Sequence, residues 1–183
     1  NEMDKVLVVS NHAKSSIVNT VASATNQQTG ETFDYKCTTE VDVVWENTPR
    51  HEPEPIHELN LTTDFNFLAI SQISPRKNFD NTVKWFVEEF IDQEVGLILK
   101  TSLASNSIID WEHLEKRMKV LLEPYSERKC KVYLLHGDLT PGQMTWLYSL
   151  DNIKNFVNIA HGEGFGLPIF EAAREGLPVT TIG

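Results

Sequence analysis

Short apolar segments alternate with longer amphipathic segments from about residue 65 onward. Each apolar segment is four or five residues long and rich in Val, Ile, Leu or Phe, which is typical of buried strands. In the amphipathic segments apolar residues recur at helical spacing, as at Leu114, Met118 and Leu122. The pattern predicts strands at 66–70, 95–99, 132–135, 156–159 and 179–182, and helices at 81–91, 111–122, 141–148 and from Pro168.

The order of these elements predicts the fold class. Strands that alternate with helices and are apolar along their length are covered on both faces, which is typical of parallel sheets. We therefore predict an α/β fold with one Rossmann-like, doubly wound parallel sheet and the Pro168 helix on one face. Ligands bind such sheets at the carboxyl ends of the strands, so residues that follow strands are the first candidates for a site.

The pattern before residue 65 is less regular. Residues 24–40 are rich in Thr, Gln and Asn, and we predict a surface loop there. Residues 50–58 are rich in Pro, Glu and His in a spacing that fits no metal site, so we predict a solvated linker. Local patterns predict three further elements: a strand at 6–10, a helix from a cap at Ser10 or Asn11 to about Val21, and a strand at 41–45.

Composition and charge argue against several classes of protein. Lys and Arg number 16 and Asp and Glu number 26 in the 183 residues, so the formal net charge is −10. Nucleic-acid binders have a basic face, and a membrane-spanning helix needs an apolar run of about 18 residues or more. Cys37 and Cys130 are predicted to be free thiols in a reducing compartment. We expect a cytoplasmic protein with no nucleic-acid partner and no integral membrane segment, and leave open peripheral membrane attachment of the full-length protein.

Glu163 and Glu171 frame the densest group of candidate functional residues. Gly164 and Gly166 lie between them and allow positive φ and close approach of the backbone to a ligand. Pro168 suits the first position of a helix, whose N-terminus offers free N–H groups and partial positive charge to a diphosphate. We therefore predict an anion site with two carboxylates facing one cleft. The alternative is a glycine-rich turn between a strand and a helix, as in any α/β protein.

The residues from 161 to 179 read HGEGFGLPIFEAAREGLPV. This segment resembles the E-x7-E signature of the retaining GT-B glycosyltransferases of family 4 (glycosyl transferases group 1), roughly EGFGLPxxEAxAxGxPV. The resemblance covers most of residues 65–183 and implies the C-terminal, donor-binding domain of a two-domain enzyme. Residues 6–11 and 41–47 more weakly resemble the last part of that family's N-terminal domain.

The resemblance implies three segments along the chain. Residues 1–48 correspond to the end of the N-terminal (acceptor) domain, 49–64 to the linker, and 65–183 to the nucleotide-sugar donor-binding domain, incomplete at its C-terminus. We therefore expect a fragment of a longer enzyme. Because the active site of this family forms between two domains, the fragment is expected to be inactive alone.

The resemblance also implies roles for individual residues. Glu163 corresponds to the catalytic carboxylate near the donor sugar, where it stabilises positive charge at the anomeric carbon. Glu171 corresponds to the glutamate that accepts hydrogen bonds from the ribose hydroxyls. Lys77 and Arg76 correspond to basic residues that hold the diphosphate, and backbone N–H groups neutralise it as it leaves. The implied donor-binding residues are Lys77, Arg76, Gly164, Phe165, Gly166, Leu167 and Glu171.

Several nearby residues depart from the family pattern or carry a weaker signal. The family often has Gly-Arg where Ser71 and Gln72 stand, so either Arg76 takes over part of the phosphate clamp or the clamp binds the diphosphate more weakly. Lys100, His136 and His161 also follow predicted strands. We interpret them as exposed, loop-packing or hydrogen-bonding residues rather than as catalytic bases.

The resemblance implies a retaining glycosyltransferase that moves a sugar from a nucleotide-diphosphate-sugar donor to a glycan, lipid or similar acceptor, as in polysaccharide biosynthesis. No metal and no cofactor are expected, because the nucleotide sugar is the substrate and the sequence contains no cluster of metal ligands. Two alternatives stay open. One is a degenerate GT-B donor domain that serves as a non-catalytic interaction module, and the other is a nucleotide-sugar epimerase of GT-B fold.

Overall fold

The computed structural model describes residues 3–182, which belong to two units, Asn1–Asn47 and Thr48–Gly183. The predicted domain limits at residues 1 and 183 lie outside the described residues. The boundary between the units lies next to residue 48, where the sequence predicted the end of the first segment. The functional roles assigned to the segments stay predictions.

The first unit contains two small sheets and a helix. β1 (Lys5–Val8) pairs in parallel with β4 (Glu40–Val43), and β2 (Val21–Thr25) pairs in antiparallel orientation with β3 (Thr32–Lys36). The Ser10 side chain caps the helix by accepting a hydrogen bond from the Ala13 N–H at 3.1 Å. These elements confirm the predicted strand–helix–strand pattern. The helix, α1 (Asn11–Asn19), lies between β1 and β2 in the chain.

The hairpin of β2 and β3 shows that the surface loop predicted for residues 24–40 was wrong. Nearly all of its side chains are exposed, so no alternation of buried and exposed positions marks the strands. The strands are held by main-chain pairing, with Thr25 and Thr32 hydroxyls 3.4 Å apart across them. Threonine and aromatic residues favour extended backbone even where little is buried, which explains the hairpin.

A five-stranded parallel sheet forms the centre of the second unit, as predicted. Its strands are β5 (Asn66–Gln72), β6 (Gly96–Ser102), β7 (Lys131–Leu135), β8 (Ile153–Asn158) and β9 (Val179–Thr181). Across the sheet they lie in the order β7–β6–β5–β8–β9. β5 therefore has neighbours on both sides, and the order of the strands reverses there.

Helices cover both faces of this sheet, so the predicted doubly wound α/β fold is confirmed. Successive residues of β6 point to opposite faces. Leu97 packs in one core with Val83, whereas Ile98 packs in a second core with Leu147. Burial of each such side chain stabilises the fold by roughly 1.5–3 kcal/mol. The helices are α2 (Phe79–Glu89), α3 (Ile108–Leu122), α4 (Pro141–Tyr148) and α5 (Leu167–Arg174).

The segment from residue 48 to 64 belongs to the second unit and has no helix or strand. Ile56 is 6% exposed and belongs to the same core as Ile98. The Arg174 side chain donates a hydrogen bond to the Pro49 carbonyl at 2.6 Å. Within residues 50–58 only Ile56 is buried and the other residues are exposed, so the predicted solvated linker is confirmed except at Ile56, which anchors the segment to the core.

Candidate functional site

Two loops meet where the order of the strands reverses. One follows β5 and forms a short 3-10 turn, Pro75–Lys77, before α2. The other follows β8 and leads into α5. Hydrogen bonds join the loops: the Asn78 amide donates to the Ile159 carbonyl at 3.1 Å, and the His161 N–H donates to the Arg76 carbonyl at 2.8 Å. Such a switch point is where ligands bind in open α/β sheets.

Lys77 and Glu163 form a close ion pair across these two loops. The Lys77 Nζ lies 2.6 Å from Oε1 and 2.7 Å from Oε2 of Glu163. Their side chains are only 14% and 20% exposed, so the pair is largely shielded from solvent. The Arg76 Nη1 lies 3.3 Å from Oε2 of Glu163 and also donates to the Gly162 carbonyl. Three of the residues singled out from the sequence thus form one cluster.

Asn158 completes this cluster, although the sequence analysis missed it. Its Nδ2 donates to Oε1 of Glu163 at 2.9 Å, and its Oδ1 accepts from the Ala160 N–H at 2.9 Å. Asn158 is 9% exposed at the carboxyl end of β8. A polar amide between Val157 and Ile159 in an apolar strand is the signal that could have revealed it.

The cluster keeps Glu163 ionised. Burial by itself would raise the pKa of the Glu163 carboxyl, but hydrogen bonds from Asn158 and Lys77, the charge of Lys77 and the contact with Arg76 outweigh it. The net result is a pKa below the ordinary value. A negative charge held between two cations and an amide can either face a ligand or neutralise the cations.

The loop before α5 bears out only part of the glycine prediction. Gly166 is the N-cap of α5 with φ of 80°, and a Cβ there would lie 3.2 Å from Ile169 Cδ1. Gly164 has open space around it and no positive φ, so the structure requires no glycine there. Pro168 is the second residue of the helix rather than the first, because the helix begins at Leu167.

The start of α5 presents unpaired backbone donors. The N–H groups of Phe165, Gly166 and Leu167 donate to no other residue in the described part of the chain. The ring of Phe165 stacks on that of Phe170, with centroids 4.5 Å apart and planes 13° apart. The stack holds the loop against the helix, and the free N–H groups give it the character of an anion site.

Glu171 lies on α5 in different surroundings. Its Oε2 accepts a hydrogen bond from the Tyr148 hydroxyl at 2.9 Å. Burial, and then the nearby Glu171 charge, raises the pKa of Tyr148, so the phenol keeps its proton. Glu171 lines a cleft of about 250 Å³ with Tyr148, Leu139 and Met144, and Glu163 is not part of that lining. The prediction that both carboxylates face one cleft is thus not met in this structure.

The weaker candidates are held by the backbone of neighbouring loops. The Lys100 Nζ donates to the Gly137 carbonyl at 2.6 Å, and burial lowers its pKa, partly offset by Asp138. The Gln72 amide donates to the Leu103 carbonyl at 2.6 Å.

Two kinds of feature are absent from the described residues. Between residues 3 and 182, no three or more His, Cys, Asp or Glu side chains are grouped to hold a metal ion. In the same range no helix is both long enough and apolar enough to cross a bilayer.

Comparison with known proteins supports the fold. No protein-family model and no curated protein matches the sequence. Among solved structures, the chain is similar to "Trehalose-6-phosphate synthase. OtsA" with a TM-score of 0.62 at 9% identity. It is also similar to the "OtsA apo structure" (TM-score 0.57) and to "Trehalose-6-phosphate from E. coli bound with UDP-2-fluoro glucose" (TM-score 0.54), each at 10% identity.

These similarities extend over most of this chain but less than half of the others. They cover 97% of this chain and 44% to 45% of the similar chains. At 9% to 10% identity the likeness concerns the fold alone. The likeness shows an α/β fold with a Rossmann-like parallel sheet, similar to that of part of these GT-B structures.

Proposed function

We propose that the chain carries the donor site of a retaining GT-B glycosyltransferase of the family 4 type. The donor is a nucleotide-diphosphate sugar, and the acceptor is a glycan, a lipid or a similar molecule. The observation that carries this proposal is the cluster of Lys77, Arg76 and Glu163 at the reversal of the strand order. It combines cations for a diphosphate with a carboxylate for a sugar.

The diphosphate would lie between the two cations and the start of α5. Arg76 can offer a planar fork of donors to phosphate oxygens, whereas Lys77 acts as a compact charge. The free N–H groups of Phe165, Gly166 and Leu167 add fixed donors that need no rearrangement. Together the two cations and the N–H groups would stabilise the negative charge that grows on the leaving nucleoside diphosphate in the transition state.

Glu163 would act on the sugar. A carboxylate kept ionised at neutral pH stabilises positive charge at the anomeric carbon, and that charge grows only in the transition state. Asn158 fixes the carboxylate through its Nδ2, 2.9 Å from Oε1. Glu163 is therefore the proposed catalytic residue and Asn158 a residue that positions it. The resulting reaction needs no metal or cofactor.

Glu171 would hold the ribose of the donor nucleotide. Its Oε2 is occupied by the Tyr148 hydroxyl at 2.9 Å, while its other oxygen has no hydrogen bond to any described residue. A carboxylate in this state can still accept from a hydroxyl group. The similar structure bound with UDP-2-fluoro glucose suggests a uridine nucleotide as the first probe.

A binding screen tests this proposal. We expect thermal stabilisation of the chain by at least one of UDP-, GDP- and ADP-sugars, followed by saturable binding in calorimetry, with a CMP-sugar as the single-phosphate comparison. A ligand that binds the folded chain but not the unfolded chain raises the melting temperature by mass action. If none of the three nucleotide-diphosphate sugars binds, the proposed donor site is wrong.

One observation favours a second candidate, a degenerate donor domain that acts as an interaction module. Gln72 stands where the family often has arginine, and its amide donates to the Leu103 carbonyl at 2.6 Å. The clamp is thus left with two cations, Arg76 and Lys77, and both contact Glu163. Saturable binding of a nucleoside diphosphate would count against this candidate.

A further inference from the structure

Glu163 forms ion pairs with Lys77 and Arg76, the two cations that the proposed function assigns to the diphosphate. Its two oxygens lie 2.6 and 2.7 Å from Lys77 Nζ, and Oε2 lies 3.3 Å from Arg76 Nη1. We propose that Glu163 and the donor diphosphate compete for Lys77 and Arg76, so that Glu163 weakens binding of the diphosphate and speeds its release. This inference rests on the proposed function, and it concerns regulation of the same site.

The geometry of Lys77 makes the competition direct. An ammonium group has three donors, and a carboxylate that contacts it with both oxygens takes the directions that two phosphate oxygens would take. The Lys77 side chain is 14% exposed, which leaves it little surface for a second anion. A diphosphate must therefore share Lys77 with Glu163 or displace it.

Asn158 keeps the displaced carboxylate nearby. Its Nδ2 donates to Oε1 of Glu163, and its own Oδ1 is fixed by the Ala160 N–H at 2.9 Å. This support depends on neither cation. Glu163 therefore stays beside the bound diphosphate, where the two negative charges repel each other.

The repulsion has opposite consequences for binding and for turnover. It lowers the affinity for the ground state, while the same carboxylate stabilises positive charge at the anomeric carbon in the transition state. After transfer, Glu163 can return to Lys77 and Arg76 as the nucleoside diphosphate leaves. Release of product limits many enzymes, so a carboxylate that reclaims the cations would shorten this step.

The test compares binding of inorganic diphosphate, UDP, GDP and ADP to the wild-type chain and to Glu163→Gln. Glu163→Gln keeps the shape of the side chain and removes its charge. We expect the variant to bind inorganic diphosphate roughly twofold to fivefold more tightly, the range expected when a competing ion pair is removed. Calorimetry at low ionic strength gives the dissociation constants.

A matched control separates competition from a change in net charge. Glu115 pairs with Lys119 on the exposed surface of α3 at 3.1 Å. Glu115→Gln changes the net charge by the same amount, and we expect it to bind inorganic diphosphate as the wild type does. Equal tightening by both variants would overturn the inference, since the effect would then be nonspecific.

A second variant keeps the test decisive if Glu163→Gln fails to fold. Glu163→Asp retains the charge but is shorter by one methylene group, so it loses the two-oxygen contact with Lys77. We expect it to bind inorganic diphosphate more tightly than the wild type, by a smaller factor than the glutamine variant. Circular dichroism melting checks that each variant is folded.

The outcomes for this inference and for the proposed function are distinct. If the wild type binds UDP, GDP or ADP and the folded Glu163 variants bind inorganic diphosphate no more tightly than it does, the inference alone fails. If the wild type binds none of the three nucleotides, the proposed function fails and the inference with it. Tighter binding by the Glu163 variants, with unchanged binding by Glu115→Gln, supports the inference.

Discussion

Glu163 and Glu171 are eight residues apart on one loop and helix, yet their electrostatic surroundings differ. Glu163 contacts two cations and an amide, so its charge is compensated by the protein. Glu171 accepts from the neutral Tyr148 hydroxyl and makes no ion pair with any residue that the structure describes. The first arrangement suits a carboxylate beside a diphosphate, and the second leaves the charge free for neutral hydroxyl donors. Residue type alone therefore does not determine the role of either glutamate.

The largest effect expected from this difference concerns turnover. In the complete transferase that we propose, Glu163→Ala should reduce kcat by about 100-fold or more, because the carboxylate acts on charge that grows only in the transition state. Binding of the free nucleoside diphosphate should not weaken. Steady-state kinetics together with calorimetry separate the two effects. A variant that loses nucleotide affinity while the bound donor reacts at the normal rate would contradict the proposed role.

Lys77→Ala should act on binding directly. Its contact with the diphosphate would exist in the ground state too, so we expect a loss of roughly 1.5–3 kcal/mol in binding of the nucleoside diphosphate. Calorimetry measures this loss, with Lys119→Ala on the exposed face of α3 as the control. Wild-type affinity in folded Lys77→Ala would remove Lys77 from the proposed clamp.

Glu171→Gln tests the uncompensated carboxylate. The variant should lose roughly 1–3 kcal/mol in nucleotide binding, because a charged acceptor for the ribose hydroxyls becomes neutral. It should leave binding of inorganic diphosphate unchanged, since that probe has no ribose. Calorimetry with both probes gives the comparison, and an equal loss for both would place Glu171 at the diphosphate instead.

The smallest effect concerns stability at acid pH. The folded pKa of Glu163 lies below its ordinary value of 4.5, so its contribution to stability is present above pH 4.5 and is lost as the pH falls through the folded pKa. The melting temperature of the wild type should therefore fall more steeply below pH 4.5 than that of Glu163→Gln. Thermal melts between about pH 6 and pH 3 measure the difference. Parallel curves would mean that the ion pair adds no stability.

Most of the second unit could be predicted from the sequence, because its strands and helices follow apolar periodicity. Leu114 and Met118 are buried at helical spacing, as predicted. The helix predicted at 141–148 is also present, and the structure has a full capping box at Thr140. Local chemistry therefore determines these elements.

The features that the sequence could not reveal depend on pairing in space. The β2–β3 hairpin buries almost nothing, so it leaves no hydrophobic signal. The contact between Lys77 and Glu163 requires β5 and β8 to be neighbours in the sheet. The order of strands in a sheet cannot be predicted from the local hydrophobic pattern. Asn158 and Tyr148 belong to the candidate site because they donate hydrogen bonds to Glu163 and Glu171 respectively, each at 2.9 Å.

The central place of β5 in the sheet has a consequence for partial unfolding. β5 pairs with strands on both sides, and Leu68 in it is fully buried, whereas β7 has one neighbouring strand among the described residues. The amides of β5 should thus exchange with deuterium only in the rarest openings, and those of β7 in more frequent ones. Arg76 and Lys77 lie in the loop that follows β5, so the cations would keep their positions while β7 opens.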